Sequence, residues 1–162
     1  TAEQLVLQKS RGGLLNSCSL RLYSVIGPRE RPEKMFTKLI SAGANNEAFP
    51  LFEGSDKHLR SFTYVGDIVD GIVSVVGNED VLDGEIVNIG TEKEYTTKQG
   101  IEAVEKVLGK QITLNIIPKR PGDQLRTCAN IDKARRLLNY NPKTSLLEAV
   151  QSQVNWYKEN FL

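Results

Sequence analysis

The run Leu20-Arg21-Leu22-Tyr23-Ser24-Val25-Ile26-Gly27-Pro28, continued by Arg29-Glu30-Arg31-Pro32, decides the fold class. Ser17 to Val25 is rich in apolar residues (Cys18, Leu20, Leu22, Tyr23, Val25) and reads as a strand. Gly27-Pro28 breaks it. The loop behind the break is dense in charge and leads into a helix from about Glu33 to Ser41. A strand that exits into a loop and then a helix is the unit of an α/β sheet, where ligands bind beyond the carboxyl ends of strands. Ser24 and Arg31 therefore stand at an edge where a ligand would bind. The alternative is a strand exit with a solvated loop.

The same alternation continues outward. Thr1 to about Lys9 reads as helical and Arg11-Gly12-Gly13 ends it. Leu51-Phe52 is a short strand, Glu53 to Leu59 a polar loop, and Arg60 to Val65 alternates as a strand does. A helix is expected from Asp67 to Val76, with Ile68, Ile72, Val75 and Val76 on one face and Gly77 as its stop. Glu85 to Ile89 and Ile112 to Ile117 are further strands. Thr96-Thr97-Lys98-Gln99 and Ser145-Leu146-Leu147-Glu148 are capping boxes, since Gln99 and Glu148 can each reach back to the cap three residues earlier. The first opens a helix to Leu108, stopped by Gly109. Asn130 caps a short helix through Leu138. The last helix places Leu147, Val150, Val154, Tyr157 and Phe161 on one stripe. The expected class is α/β.

Length and composition narrow the function. A chain of 162 residues fits one domain and can bury roughly 70% of its unfolded surface. A net charge of +1 gives no bulk attraction to nucleic acid or acidic membranes. No apolar run approaches the roughly 20 residues that span a bilayer, and no signal peptide is read. Cys18 and Cys128, the 2 cysteines, form no Cys-x-x-Cys pair, which argues against a disulfide scaffold or zinc site and for a reducing cytoplasm. His58 is the single histidine, so most metal sites are excluded and none is expected. It reads as a loop residue rather than a base, and Tyr64 and Tyr95 as packing residues.

Three loops carry residues suited to an anionic ligand. In Arg60-Ser61-Phe62-Thr63-Tyr64-Val65-Gly66-Asp67, the guanidinium at the strand start can clamp a phosphate or carboxylate. The plainer reading is a surface arginine before a core strand. In Pro118-Lys119-Arg120-Pro121-Gly122-Asp123, two prolines and a glycine stiffen the backbone. Arg120 can take phosphate and Asp123 the two hydroxyls of a ribose or sugar, with Arg126 near enough in sequence to join them. A plain turn with solvated charges is the alternative there. The third loop holds Arg31 beside Ser24. Neither G-x-x-G-x-x-G nor G-x-x-x-x-G-K-[ST] occurs.

As a series these segments, with Glu85-Ile86-Val87-Asn88-Ile89-Gly90, Ala129-Asn130-Ile131-Asp132-Lys133-Ala134 and Tyr140-Asn141-Pro142-Lys143-Thr144-Ser145-Leu146, resemble the extended short-chain dehydrogenase/reductases. The likeness is to their NAD-dependent nucleotide-sugar epimerases and dehydratases, and most to the UDP-glucuronate 4-epimerase-like members. It covers nearly the whole chain. It implies the C-terminal part of a Rossmann-like fold. Residues 1–28 would be a remnant of the Rossmann-like domain and 29–162 the small α/β substrate-binding domain, with 60–90 partly returning to the Rossmann-like sheet. The resemblance further implies that Leu22 lies under the nicotinamide of NAD and that Ser24 faces the sugar diphosphate. It places Arg31, Arg60 and Arg120 near the diphosphate or sugar, and Asp123 at the ribose of the nucleotide. The family often has Asp where Ser61 and Gly66 stand and Tyr where Ile26 stands.

Thr1-Ala2-Glu3-Gln4-Leu5-Val6 reads as the middle of a helix. In the resembling family a Tyr-x-x-x-Lys pair precedes a glutamate like Glu3, the Tyr serving as general acid/base. The expectation is a C-terminal portion that lacks the catalytic residues and is inactive alone. The parent reaction is oxidation and re-reduction of a UDP-sugar at C4, with NAD bound by the parent enzyme and none by this chain alone. Homodimers or higher assemblies are expected from strands left with open edges. The other readings are a stand-alone non-catalytic nucleotide-sugar-binding or interaction module, and a fragment of a hydroxysteroid dehydrogenase-like relative.

Overall fold

The computed structural model describes residues 2–162. The first residue of the helix read from Thr1 to about Lys9 lies outside the described residues. In chain order the elements are α1 (Ala2–Arg11), β1 (Ser19–Leu22), β2 (Val25–Ile26), α2 (Met35–Asn45), β3 (Phe49–Phe52), β4 (Leu59–Arg60), β5 (Thr63–Tyr64), α3 (Val65–Val73), α4 (Glu79–Leu82), β6 (Ile86–Ile89), β7 (Tyr95–Thr96), α5 (Thr97–Leu108), β8 (Leu114–Ile117), β9 (Arg126–Thr127), α6 (Asp132–Leu138) and α7 (Leu146–Phe161). A single 3-10 turn at Ser55–Lys57 interrupts the loop between β3 and β4. The class is α/β, as the alternation predicts.

The strand expected from Ser17 to Val25 is two strands with different partners. β1 pairs in parallel with β6, Leu22 opposite Ile89. β2 pairs in parallel with β5, Val25 opposite Thr63. The break is at Ser24, whose φ of 37° lies in the left-handed region and turns the chain from one partner to the other. The strand expected over Arg60 to Val65 divides likewise. β4 pairs antiparallel with β7 and parallel with β9, while β5 belongs with β2. Between them Phe62 turns inward to meet Phe36 edge-on, ring centroids 4.9 Å apart. β3 begins two residues before the expected start and pairs in parallel with β8. Pro50 is tolerated because β3 has a partner on one side only.

Two buried clusters hold these pieces. One gathers Phe36, Leu39 and Ile40 of α2, Phe49 and Leu51 of β3, Ile101 and Val104 of α5, and Val150 and Val154 of α7. The other packs Ile68, Val87, Ile89, Ile131, Leu138 and Tyr140, with Leu20 of β1 and Tyr23 just beyond it against the cluster. Helices α2 and α5 approach closely at Gly43, where a Cβ would lie 2.5 Å from Leu108 Cδ1. α1 is anchored by charge as well as by Leu7. Arg21 donates to Glu3 through Nε (2.8 Å) and a terminal nitrogen (2.6 Å), which holds the Glu3 carboxyl below the usual carboxylate range.

Both capping boxes are present, and Gly109 ends α5 in the left-handed conformation. Several helix readings differ: α2 runs Met35–Asn45 rather than from about Glu33 to Ser41. α3 starts at Val65 rather than Asp67 and stops at Val73. Ile68 is its buried apolar residue, whereas Val76 lies in the following turn, 76% exposed. α4, unread in the sequence, buries Leu82. On α7 the buried residues are Leu146, Ala149, Val150, Gln153 and Val154, so the inward face is rotated from the expected stripe and Phe161 is 61% exposed. Asn130 sits two residues ahead of α6, where its Oδ1 accepts from Asp132 N (3.1 Å). α2 has no side-chain cap of its own at Lys34. Instead Glu30 accepts from Thr37 N (3.0 Å).

Local capping makes a measurable contribution. Thr96 Oγ1 accepts from Gln99 N (3.1 Å) and Gln99 Oε1 from Thr96 N (2.8 Å). Thr96→Ala should lower stability by about 1 kcal/mol and the melting temperature by about 2–4 °C. An unchanged thermal melt would show that the box contributes nothing.

Candidate functional site

Two adjoining clefts open where the short strands end. The larger, of about 520 Å³, is lined by Ser24, Lys34, Phe52, His58, Arg60, Arg120 and Asp123, among others. The smaller, of about 360 Å³, is lined by Leu22, Ser24, Gly27, Pro28, Arg29, Arg31 and Val65, among others. Ser24, Val25, Ile26, Glu30 and Lys34 belong to both. The six residues to which the resemblance gives a role, Leu22, Ser24, Arg31, Arg60, Arg120 and Asp123, therefore line one continuous depression, with Ser24 where its two halves meet. Among the described residues no group of three or more His, Cys, Asp and Glu side chains could hold a metal ion, and no helix is long and apolar enough to cross a membrane.

Ser24 is set by the partner change. Its carbonyl accepts from Thr63 N (3.1 Å) while the preceding Tyr23 N donates to Ile89 O (3.0 Å). Leu22, last in β1, is an apolar side chain left 47% exposed at the cleft wall. Beyond it the chain turns at Gly27, whose φ is 131° and where a Cβ would lie 2.8 Å from Val65 Cγ1. No side chain fits there without moving α3. Arg29 also has a positive φ, 65°. Arg29, Arg31, Lys34 and Lys38 stand outside every salt bridge found among the described residues. An unpaired cation group of this kind favours an anion.

The opposite wall is preoriented. Arg120 donates from Nε to Asp123 Oδ1 (2.8 Å) and lies over the Phe52 ring, 5.1 Å from its centroid. The turn that closes this pair has Gly122 at φ 80°. The Asp123 side chain is only 12% exposed, and both Arg120 contacts fall on Oδ1, so Oδ2 keeps its acceptor capacity. Arg60 donates to its own strand at Leu59 O (2.8 Å) and across to Gln124 O (2.6 Å), tying β4 to the Arg120 loop. A guanidinium fixed on two sides can take a phosphate or carboxylate oxygen with its remaining N–H groups.

Arg126 does not join this group. It is paired bidentately with Glu94, 2.7 Å on each arm, which keeps the Glu94 carboxyl below its ordinary range. Proximity in sequence misled because β9 carries Arg126 across the three-stranded sheet toward β7. The sequence reading also missed Lys34, Lys38 and Phe52, all on the larger cleft. The i,i+4 lysines at the head of α2 were the available signal. His58 is buried, and its carbonyl accepts from Thr97 N (3.0 Å). It lines the larger cleft as a loop residue after the 3-10 turn. Of the three departures from the resembling family, Ile26 is buried in the first core cluster. Ser61 is fully buried, with no partner for its hydroxyl among the described residues. Gly66 lies under Tyr64, whose Cε1 would be 2.4 Å from an added Cβ.

Comparison with known proteins identifies the family. A family model described as GDP-mannose 4,6 dehydratase matches residues 1–153. A Bacillus subtilis (strain 168) protein called an uncharacterized UDP-glucose epimerase is 35% identical over 135 residues, covering 83% of this chain and 42% of its own length. The UDP-glucuronate 4-epimerase of Thermodesulfobacterium geofontis (strain OPF15) is 32% identical over 142 residues, 87% of this chain and 43% of that protein. The crystal structure of UDP-glucuronic acid 4-epimerase from Bacillus cereus, in complex with UDP-glucuronic acid and NAD, superposes with a TM-score of 0.91 at 30% identity. It covers 98% of this chain and 50% of the other. The chain thus spans about half the length of the relatives it matches. It belongs to the GDP-mannose 4,6 dehydratase family of NAD-dependent nucleotide-sugar epimerases and dehydratases.

Proposed function

We propose that these residues are the nucleotide-sugar-binding, C-terminal part of an NAD-dependent epimerase or dehydratase. The substrate class is a UDP-sugar of the UDP-glucuronate type, and the parent reaction is transient oxidation and re-reduction at C4. The observation that carries the reading is the polarity of the depression. Leu22 and Arg31 line one end, Arg60, Arg120 and Asp123 the other, and Ser24 the middle. A ligand laid along it has its ribose hydroxyls at Asp123, its diphosphate between Arg60 and Arg120, and its sugar at Ser24 and Arg31. Residues 1–28 and part of 60–90 continue a Rossmann-like sheet in this reading.

The chain's residues suit only one end of NAD. Leu22 offers an exposed apolar face for a nicotinamide ring, whereas the 162 residues contain no glycine-rich loop for the pyrophosphate. When bound, NAD supplies hydride acceptance and return. What these residues do is hold the diphosphate with Arg60 and Arg120 and the sugar's carboxylate with Arg31, and orient the ring beside Ser24. No Tyr-x-x-x-Lys pair occurs in the sequence, so these 162 residues alone should leave UDP-glucuronate unconverted. A cytoplasmic setting, where thiols stay reduced, suits Cys18 and Cys128, which are both free. The open edges of the two-stranded β1–β6 and β2–β5 sheets favour dimers or larger assemblies, and a clean monomer in light scattering would count against that.

A stand-alone non-catalytic module uses the same clefts, and calorimetry separates it by affinity: tight UDP-sugar binding favours the module, weak binding the part-enzyme. A steroid-binding relative is disfavoured by the Arg60, Arg120 and Asp123 wall, which a steroid cannot satisfy. Arg120→Ala should weaken UDP and UDP-glucuronate binding together, each by about tenfold, the loss of one charged hydrogen bond. Arg31→Ala should weaken UDP-glucuronate alone by a similar factor. If UDP affinity survives Arg120→Ala, the nucleotide end has been assigned to the wrong loop.

A further inference from the structure

We infer that Gln153 is a positioning residue: with Glu30 it forms a buried clamp that aims the Arg29–Arg31 loop at the cleft and keeps the Glu30 carboxylate from competing with an anionic ligand. The inference rests on the nucleotide-sugar reading of the cleft, which it deepens.

Gln153 lies between Val150 and Val154 on the inward face of α7 and is 1% exposed. A polar amide at such a place is costly unless its groups are bonded, and here they are. Its Oε1 accepts from Gly27 N (3.0 Å). Its Nε2 donates to Glu30 Oε2 (2.9 Å) and Thr37 Oγ1 (3.2 Å). One side chain therefore grips both ends of the loop, the Gly-Pro corner at the strand exit and the carboxylate that caps α2. An amide meets both demands at once, since its oxygen accepts from a backbone N–H while its nitrogen donates to a carboxylate.

The charge of Glu30 gives the clamp its functional meaning. Glu30 stands between Arg29 and Arg31 in sequence and lines the same cleft. Released, its carboxylate is adjacent to both guanidiniums and opposes any phosphate or uronate placed there. Held, its Oε2 is turned onto Thr37 N and Oγ1 (each 3.0 Å) and onto Gln153, and Arg29 and Arg31 stay outside the salt bridges of the described residues.

The test exchanges donor and acceptor. Gln153→Glu sets two carboxylates face to face and expels Glu30 toward the arginines. The double variant E30Q/Q153E keeps the net charge and rebuilds the amide-to-carboxylate bond in reverse. Calorimetry with UDP-glucuronate should show about a tenfold loss for Q153E, with UDP within about threefold of wild type, and recovery in the double variant to within about threefold. Amide exchange over residues 27–37 should quicken in Q153E and slow again in the double variant. A double variant no better than Q153E in exchange overturns the clamp. Restored exchange without restored UDP-glucuronate affinity overturns the aiming role. A wild-type chain that binds neither ligand overturns the nucleotide-sugar reading and the aiming role, while the exchange result still decides the clamp.

Discussion

The backbone at Tyr23 and Ser24 is shared between two sheets, and the position of Leu22, Ser24 and the basic loop in the cleft follows from that division. Tyr23 N–H closes the β1–β6 ladder at Ile89, while the Ser24 carbonyl opens the β2–β5 ladder at Thr63. Changing partners in one residue requires the left-handed turn at Ser24. Such a conformation is uncommon outside glycine and costs energy, so it persists only where the surroundings fix it. Here two parallel ladders fix it from opposite sides. The turn leaves Leu22 on one wall, Ser24 at the centre and the Gly27-Pro28 corner leading to the basic loop.

The electrostatics complement this geometry. At the Asp123 end the arginines are already oriented: Arg60 by two carbonyls, Arg120 by Asp123 and Phe52. Much of the ordering cost that a bound anion would impose on flexible side chains is met in advance. At the Leu22 end, Arg29 and Arg31 are exposed and their loop is ordered from below by Gln153. The two ends of the depression use different devices, fixed side chains at one and a fixed backbone at the other.

Local signals were readable in the sequence because their causes are local. The capping boxes at Thr96 and Ser145, the stop at Gly109, and the turn that joins Arg120 to Asp123 each depend on residues within three or four positions. The partner change at Ser24 was not readable, since it is decided by strands about 40 and 65 residues further on. Arg126 failed for the converse reason, since nearness in sequence to Asp123 said nothing of Glu94, which lies just ahead of β7 on the far side of β4. The face of α7 was misjudged because apolar periodicity alone put Leu147 and Phe161 inward. The buried polar Gln153 explains the rotation, and its partners lie more than a hundred residues away.

The central claim is that one depression holds a nucleotide sugar in a single direction, nucleotide toward Asp123 and sugar toward Leu22. Amide chemical-shift mapping of the chain titrated with UDP and then with UDP-glucuronate tests it most directly. UDP should move amides around Arg60 and from Arg120 to Asp123, and UDP-glucuronate should add shifts from Ser24 to Arg31. Shifts at Ser24 to Arg31 with UDP alone, or no shifts in these segments with either ligand, would contradict the account.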